Sequence, residues 1–284
     1  MPVRSPIWPA KLDHIRLDSP DPAALARFYG ETLDMVARPL PDGTVAVEGR
    51  ERTIVIGGGE AGTQPFSAFR LESARQLADL RDWLGARGVP MLPSPTALFR
   101  NDGVAVRDPD GRLAVFGLCR DGESAAAGGA TPSLPGRLQH VVVASTRLSE
   151  MMRFYEEALG FVPSDYVRDG EERTVAFYRT DCEHHSFAVF RAPQSRPDHH
   201  SYETSCWNDI RDWADRMAAR RIKLWWGPGR HGPGNNLFFM IQDPHKYLIE
   251  LSAEIEVVPD EITGRFWPHE ERTLNLWGPG FMRS

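Results

Sequence analysis

The strongest indication of the fold is the stretch "LQHVVVASTRLSEMMRFYEEALGF" (Leu138–Phe161), because "LDHIRLDSPDPAALARFYGETLDM" (Leu12–Met35) has the same pattern. Each stretch has an alternating strand that contains a histidine, then a polar turn, then an amphipathic helix that carries the triplet ArgPheTyr. Two copies of one supersecondary unit at this separation predict a chain made of tandem modules.

Two more pairs of stretches repeat in the same order. "FSAFRLESARQLADLRDWLGARG" (Phe66–Gly88) and "HHSYETSCWNDIRDWADRMAARR" (His199–Arg221) each predict a short strand that runs into a helix. "VRDPDGRLAVFGL" (Val106–Leu118) and "IQDPHKYLIELSA" (Ile241–Ala253) each predict two strands joined by a turn. The sequence therefore predicts an α+β fold in which each module contains two βαβββ repeats.

The module boundaries follow from composition. We assign residues 1–120 to an N-terminal non-catalytic module and 138–258 to a C-terminal catalytic module. The segment "DGESAAAGGATPSLPGR" (121–137) predicts a linker, since it is rich in Ala, Gly, Ser and Pro and has little to bury. Residues 259–284 form a tail with little periodicity, which we expect to serve as a lid over the catalytic module.

Composition excludes several classes of partner. The 284 residues have a formal charge of −6, so no basic surface for nucleic acid is expected, and no apolar run is long enough to cross a membrane. Three cysteines with unrelated spacings predict a reduced, cytoplasmic location. Eight of the nine histidines lie between His140 and His269, which places the chemistry in the second module and favours a small-molecule partner.

The four repeats resemble the vicinal oxygen chelate superfamily (glyoxalase/bleomycin resistance/dioxygenase), and within it the two-module type I extradiol ring-cleavage dioxygenases. The resemblance covers nearly the whole chain. It implies two cup-shaped mixed sheets, of which only the second holds a metal. It also implies Fe(II), with Mn(II) possible, and extradiol (meta) cleavage of a catechol-type diol by O2 in the degradation of aromatic compounds. We expect a homo-oligomer.

The resemblance places the metal ligands at His140, His199 and Glu250. Two imidazoles and one carboxylate on one face of an octahedron leave three positions open for substrate and dioxygen. The internal repeat places Phe66 opposite His199 and Val115 opposite Glu250, so the first module cannot bind a metal in this way.

Strand alternation distinguishes His199 from its neighbour His200. Successive side chains of a strand point to opposite faces. The repeat alignment places His199 and Ser201 on the face of His140, and His200 with Tyr202 on the packing side. We therefore expect His199 to be the ligand.

Two more histidines are candidates for proton transfer. In "HHSFAVF" the resemblance implies that His185 lies on a strand and exchanges protons with the substrate, and alternation then predicts that His184 faces away. His231, 19 residues before Glu250, matches a position that donates a hydrogen bond to substrate or oxygen. Met240 stands where the family usually has a tyrosine, which removes a hydroxyl that would contact the substrate.

Three other functions compete with ring cleavage. A glyoxalase-like isomerase usually has a fourth protein ligand and lacks paired proton-handling histidines. An α-keto-acid-type dioxygenase is a further enzyme alternative. A small-molecule binding protein that uses an empty cup would lack the three metal ligands.

Overall fold

A computed structural model describes residues 5–120, 133–260 and 262–283 of the chain. The helices are α1 (Pro22–Leu33), α2 (Ala74–Ala86), α3 (Leu148–Arg153), which a π-helical turn over Phe154–Leu159 continues, α4 (Trp207–Ala219) and α5 (Glu271–Leu274). The strands are β1 (Lys11–Ser19), β2 (Val36–Pro39), β3 (Val45–Gly49), β4 (Arg52–Gly58), β5 (Phe66–Arg70), β6 (Leu92–Pro93), β7 (Val104–Arg107), β8 (Leu113–Gly117), β9 (Arg137–Ser145), β10 (Val162–Asp169), β11 (Glu172–Arg179), β12 (Phe187–Arg191), β13 (Arg196–Thr204), β14 (Trp226–Arg230), β15 (Leu237–Gln242), β16 (Leu248–Ala253) and β17 (Arg265–Pro268).

The elements form four βαβββ units, two in each module. The first module has an eight-stranded sheet in the order β2-β3-β4-β1-β5-β8-β7-β6. The second has a nine-stranded sheet in the order β14-β15-β16-β13-β9-β12-β11-β10-β17. In each sheet the opening strands of the two units pair antiparallel at the centre, as β1 with β5 and as β9 with β13. The predicted α+β fold with mixed sheets is confirmed.

The repeated motifs join the two modules. The tyrosine of each ArgPheTyr triplet donates to the aspartate of the other module's AspPro turn: the hydroxyl of Tyr29 lies 3.3 Å from Asp243 Oδ2, and that of Tyr155 lies 3.4 Å from Asp108 Oδ2. The largest hydrophobic cluster contains side chains from both modules, including Tyr29 and Tyr155. The modules therefore share one core.

The predicted linker is only partly within the described residues. Residues 121–132 lie outside them. The carbonyls of Leu134 and Gly136 accept hydrogen bonds from the buried Arg52 guanidinium, and the carbonyl of Pro135 accepts one from Trp213 Nε1 at 2.7 Å. The segment that enters β9 is thus fixed by one side chain from each module.

The tail adds to the second sheet. Its strand β17 pairs parallel with β10 at the edge of the sheet, and α5 follows. None of the helices in the described ranges combines the length and the apolarity that a bilayer span requires. All three cysteines (Cys119, Cys182 and Cys206) are free thiols.

Candidate metal centre

Three adjacent strands at the centre of the second sheet carry the predicted ligands. In the register, Ser201 of β13 lies opposite His140 of β9 on one side and opposite Glu250 of β16 on the other. His199 lies two residues before Ser201 and therefore points to the same face. A small residue at 201 leaves room for the three larger side chains around it.

The structure brings the three side chains together. One ligand atom from each of His140, His199 and Glu250 lies within 4.8 Å of the others, and all three residues are buried. The two Nε2 atoms are 3.3 Å apart. Glu250 Oε1 lies 3.5 Å from His140 Nε2, and Oε2 lies 3.8 Å from His199 Nε2.

Each predicted ligand is oriented by a polar neighbour. Nδ1 of His140 lies 2.6 Å from Gln139 Oε1, and Nδ1 of His199 lies 2.8 Å from Asp198 Oδ2. Since both partners accept hydrogen bonds there, the hydrogens lie on Nδ1 and the Nε2 lone pairs point into the cup. The Ser201 hydroxyl donates to Glu250 Oε1 at 3.1 Å.

The protonation states suit a divalent cation. Burial and the nearby His185 and His199 rings lower the pKa of His140 well below its ordinary value, so that its ring is neutral. Burial raises the pKa of Glu250, but the nearby His231 and His199 rings outweigh it, and the net shift is downward, so that the carboxylate is ionised. Two imidazoles and one carboxylate with open positions are the ligand set of non-haem Fe(II) oxygenases, and these residues fit such an ion.

Among the described residues, the first cup holds no equivalent set of ligands. The first sheet has the same strand register as the second. Ala68 takes the place of Ser201 and lies opposite His14 and Val115, and Phe66 takes the place of His199. An apolar cluster that includes Phe66, Phe99 and Val115 fills the space. The remaining His14 bonds to the side chains of Asp13 and Thr96 instead.

His200 lies on the other face of β13, as strand alternation predicts. Its ring is fully buried among those of Tyr29, Tyr202 and Tyr247, whose centroids lie 5.0 to 5.8 Å away. Neither ring nitrogen has a hydrogen-bond partner within the described part of the chain. His200 therefore packs between the modules and does not face the cup.

His185 lines the cavity and His184 is not among its lining residues, as expected, but the cause is not strand alternation. Both His184 and His185 precede β12, which begins at Phe187, and they lie in an irregular turn rather than on a strand. Alternation does not apply in such a turn, and the two rings contact each other with Nδ1 atoms 2.9 Å apart. His185 lies beside the predicted ligands, with its ring centroid 4.3 Å from that of His140. Burial and the neighbouring His184 ring lower the pKa of His185 well below its ordinary value.

His231 follows β14 and lies at the edge of the cup. Its Nδ1 donates to the carbonyl of Leu274 in the tail at 2.6 Å, and its Nε2 lies 3.3 Å from Glu250 Oε2. The ring stacks on Phe238 with a centroid distance of 3.8 Å. The stack on Phe238 and the hydrogen bond to the Leu274 carbonyl together orient the ring so that Nε2 points toward the predicted ligands.

The remaining walls of the cavity are largely apolar. Met240 is fully buried and lines the cavity, so no hydroxyl group occupies that place. Of the aromatic residues near the site, Phe177 and Trp226 line the cavity, whereas Phe187 and Phe239 belong to the shared core. The other lining residues are Val142, Val175, Phe190, Pro233, Thr273, Leu274, Phe281 and Arg283.

Sequence reasoning missed the residues behind the histidines. Asp198 is buried, and its Oδ2 accepts a hydrogen bond from His199 Nδ1. The same oxygen forms an ion pair with Nη1 of Arg283 in the tail, at 3.1 Å. Asp165 is also buried and lies 3.0 Å from His184 Nε2. Burial raises the pKa of both carboxyls, but Arg283 beside Asp198 and His184 beside Asp165 outweigh it, so both pKa values are lowered. Neither pairing has a spacing signal, because the partners come from separate segments of the chain that meet only in the folded structure.

Comparison with known proteins gives a family match for the segment that carries this geometry. Residues 137–251 match the model of the Glyoxalase/Bleomycin resistance protein/Dioxygenase superfamily. The matched segment begins with β9 and ends within β16, and so contains the three predicted ligands His140, His199 and Glu250.

Related proteins extend the likeness over nearly the whole chain. Metapyrocatechase 2 of Cupriavidus necator is 27% identical, over 94% of this chain and 88% of its own length. The iron-dependent extradiol dioxygenase of Rhodococcus jostii strain RHA1 is 25% identical, over 95% of this chain and 96% of its own length. The crystal structure of homoprotocatechuate 2,3-dioxygenase from Arthrobacter globiformis superimposes with a TM-score of 0.81 at 21% identity, covering 98% of this chain and 90% of that one. At that identity the structural likeness shows the fold.

Proposed function

We propose that the protein is an extradiol dioxygenase that uses non-haem Fe(II) to cleave a catechol-type ring beside its hydroxyl groups and adds both atoms of O2. The observation that carries the proposal is the convergence of His140, His199 and Glu250 inside the second cup. Relatives named as extradiol or ring-cleaving enzymes over nearly the whole chain support it.

In this proposal the ion is held by His140 Nε2, His199 Nε2 and the Glu250 carboxylate. When bound, iron would supply a Lewis acid able to bind both the diol and dioxygen. We favour iron over manganese because an iron-dependent enzyme is among the relatives. Imidazole nitrogens and carboxylate oxygens can bind either Fe(II) or Mn(II).

His185 is the proposed proton acceptor. Its neutral ring lies beside His140 and lines the cavity. A neutral imidazole can take the hydroxyl proton of a catechol and return it later in the reaction. Phe177 contacts the ring edge-on at 5.2 Å and limits its rotation.

His231 is the proposed second polar group of the reaction. Because the carbonyl of Leu274 can only accept, the hydrogen on Nδ1 is fixed, and Nε2 faces the cup. From there Nε2 can hold or release a proton toward a substrate oxygen. Its stacking on Phe238 keeps the ring in this orientation.

The walls suggest the substrate class. Val142, Val175, Phe177 and Phe190 present apolar surface around the site, and Met240 adds a thioether. A flat ring with apolar substituents fits such walls better than one with a charged substituent. We therefore propose alkyl- or aryl-substituted catechols as substrates.

The test is ring cleavage by protein loaded with Fe(II) under anaerobic conditions. On addition of 3-methylcatechol and air, we expect uptake of one O2 for each catechol consumed and a yellow ring-fission product. Glu250→Gln, which is nearly the same size, should neither retain iron nor form product. Wild-type protein that binds iron but leaves a panel of substituted catechols intact would contradict the proposal.

Two further expectations accompany this function. The tail lines the cavity through Thr273, Phe281 and Arg283, which supports a role as a cover that limits access of water. Homo-oligomeric assembly stays a prediction, which size-exclusion chromatography with light scattering would test.

A further inference from the structure

A second cavity lies beside the catalytic one, at the rim of the second cup. It has a volume of about 320 Å³ and is formed where β13 and β16 begin and β15 ends. Asp198 lines this second cavity whereas the next residue, His199, lines the catalytic one, and Trp225 and Trp226 are divided in the same way. Arg283 of the tail lines both cavities. Only one layer of side chains therefore separates them.

The second cavity has an excess of positive charge. Arg196, Lys246 and Arg283 line it, and Asp198 is the only carboxylate among the described residues that do so. That carboxylate is fully buried and already paired, with Oδ1 3.0 Å from Arg196 Nη1 and Oδ2 3.1 Å from Arg283 Nη1. One carboxylate thus faces three cations, in a chain whose formal charge is −6. A cavity of this kind attracts an anion.

Ring cleavage turns an uncharged substrate into an anion. The bond between a hydroxyl-bearing ring carbon and its neighbour outside the diol breaks, and each new end receives one oxygen atom of O2. One end becomes a carboxyl group and the other an aldehyde or ketone, so no further oxidant or reductant is consumed. At neutral pH the carboxyl group loses its proton to the solvent, whereas phenolic hydroxyls stay protonated.

Away from the metal ligands, the catalytic cavity offers little to such an anion. Its walls are largely apolar, and moving a carboxylate into apolar surroundings is costly. Arg283 is the one lysine or arginine among the described residues of its lining, and it also faces the second cavity. A product carboxylate is therefore best stabilised on the side of Arg283.

We propose that the second cavity binds the carboxylate of the ring-fission product, with Arg283 and Lys246 as the main contacts. The proposal rests on the proposed function, because ring cleavage creates that carboxylate. The guanidinium carbon of Arg283 lies 5.5 Å from the ring centre of Trp226 on the catalytic side and 5.9 Å from that of Trp225 on the other. Trp225 and Lys246 are exposed, so the product can leave the second cavity for solvent.

The first test is binding of the purified ring-fission product of 3-methylcatechol to protein loaded with Fe(II) under anaerobic conditions. Lys246 does not line the catalytic cavity and forms no ion pair among the described residues. In Lys246→Gln we expect the Kd of the product, measured by equilibrium dialysis, to rise by roughly two- to fivefold. The matched control Lys223→Gln changes an exposed residue that lines neither cavity, and should leave the Kd unchanged. The KM for 3-methylcatechol should be the same in wild type and both variants.

The second test removes the charge that the two cavities share. In Arg283→Gln the amide can still donate to Asp198, but the cation is lost. We expect the product Kd to rise by roughly tenfold, and the Ki for product inhibition to rise with it. Because salt screens only a charged ligand, added KCl should weaken product binding and leave the KM for 3-methylcatechol unchanged. If Arg283→Gln does not fold, Arg196→Gln is the second variant and should also raise the Kd.

The outcomes separate this proposal from the proposed function. Product Kd values that are equal in wild type, Lys246→Gln and Arg283→Gln, or that do not respond to KCl, would overturn the second cavity as a product site while ring cleavage stands. Absence of ring cleavage by wild type would refute the proposed function. Product prepared with a known extradiol dioxygenase would then still show whether the second cavity binds the carboxylate.

Discussion

Asp108, at the junction of the two modules, gives a quantitative test of the fold. Its carboxylate is buried, and it accepts hydrogen bonds from the Tyr155 hydroxyl at 3.4 Å and from the Arg112 backbone N–H at 2.9 Å. Burial raises the pKa of Asp108 to about 6, although the Arg112 guanidinium nearby acts in the opposite direction. We predict that Asp108→Asn changes how the free energy of unfolding depends on pH.

The sign and size follow from proton linkage. In the unfolded chain the carboxyl has its ordinary pKa of 3.8, so between pH 3.8 and about 6 only the folded state keeps the proton. The free energy of unfolding therefore falls as pH rises through this window. A shift of about 2 pKa units at 1.36 kcal/mol per unit corresponds to a loss on the order of 3 kcal/mol. Asparagine does not ionise, and its oxygen can still accept from the Arg112 N–H.

The assay is urea unfolding followed by far-UV circular dichroism from pH 4 to pH 7, with metal removed. The free energy of unfolding of Asp108→Asn minus that of wild type should rise by about 2 kcal/mol over this range, because at pH 4 part of the unfolded chain is already ionised at this carboxyl. Tyr155→Phe removes one hydrogen bond but keeps the carboxylate, and should keep the slope of wild type. A difference that is flat with pH, or that falls, would refute the reasoning.

Three other predictions concern the metal centre. His199→Leu should lose stoichiometric Fe(II) binding in an anaerobic titration, whereas His200→Leu should retain it; the reverse result would contradict the assignment of strand faces. His200→Leu should also not be less stable than wild type by thermal melting, because the buried imidazole that it removes has no hydrogen-bond partner in the described ranges. His231→Phe should keep the stacking on Phe238 and bind iron as wild type does, but lower kcat by roughly 10²- to 10⁴-fold; normal turnover would exclude a role in proton transfer.

Repetition made most of the fold predictable. Each unit is a strand, a helix and three strands, and both the alternating strands and the amphipathic helices leave clear periodic signals. Four imperfect copies of those signals locate the elements better than one copy could. The same repeat aligned Phe66 with His199 and Val115 with Glu250, and the register of the two sheets places those residues at equivalent positions.

Other features left no local signal. The turn before β12 is irregular, so strand alternation is not the reason that His184 faces away from the cavity. Asp165 pairs with His184 because β10 and the turn before β12 meet in the folded module, and Asp198 pairs with Arg283 because the tail returns to the sheet. Such contacts between distant segments have no periodicity and no motif.

The motifs that marked the repeats have a structural role that the sequence did not reveal. The ArgPheTyr triplets and the AspPro turns were useful as markers of repetition. In the structure Tyr29 and Asp243, and Tyr155 and Asp108, join one module to the other. The reciprocal pairing explains why each copy contains both motifs, since each module supplies one donor and one acceptor.

The most direct test of the central claim is an anomalous diffraction map, measured at the iron absorption edge, of crystals loaded with Fe(II) under anaerobic conditions. We predict one strong peak in the second cup, about 2 Å from His140 Nε2, His199 Nε2 and a Glu250 carboxylate oxygen, and no peak in the first cup. An iron peak elsewhere, or one that contacts fewer than all three side chains, would contradict the account.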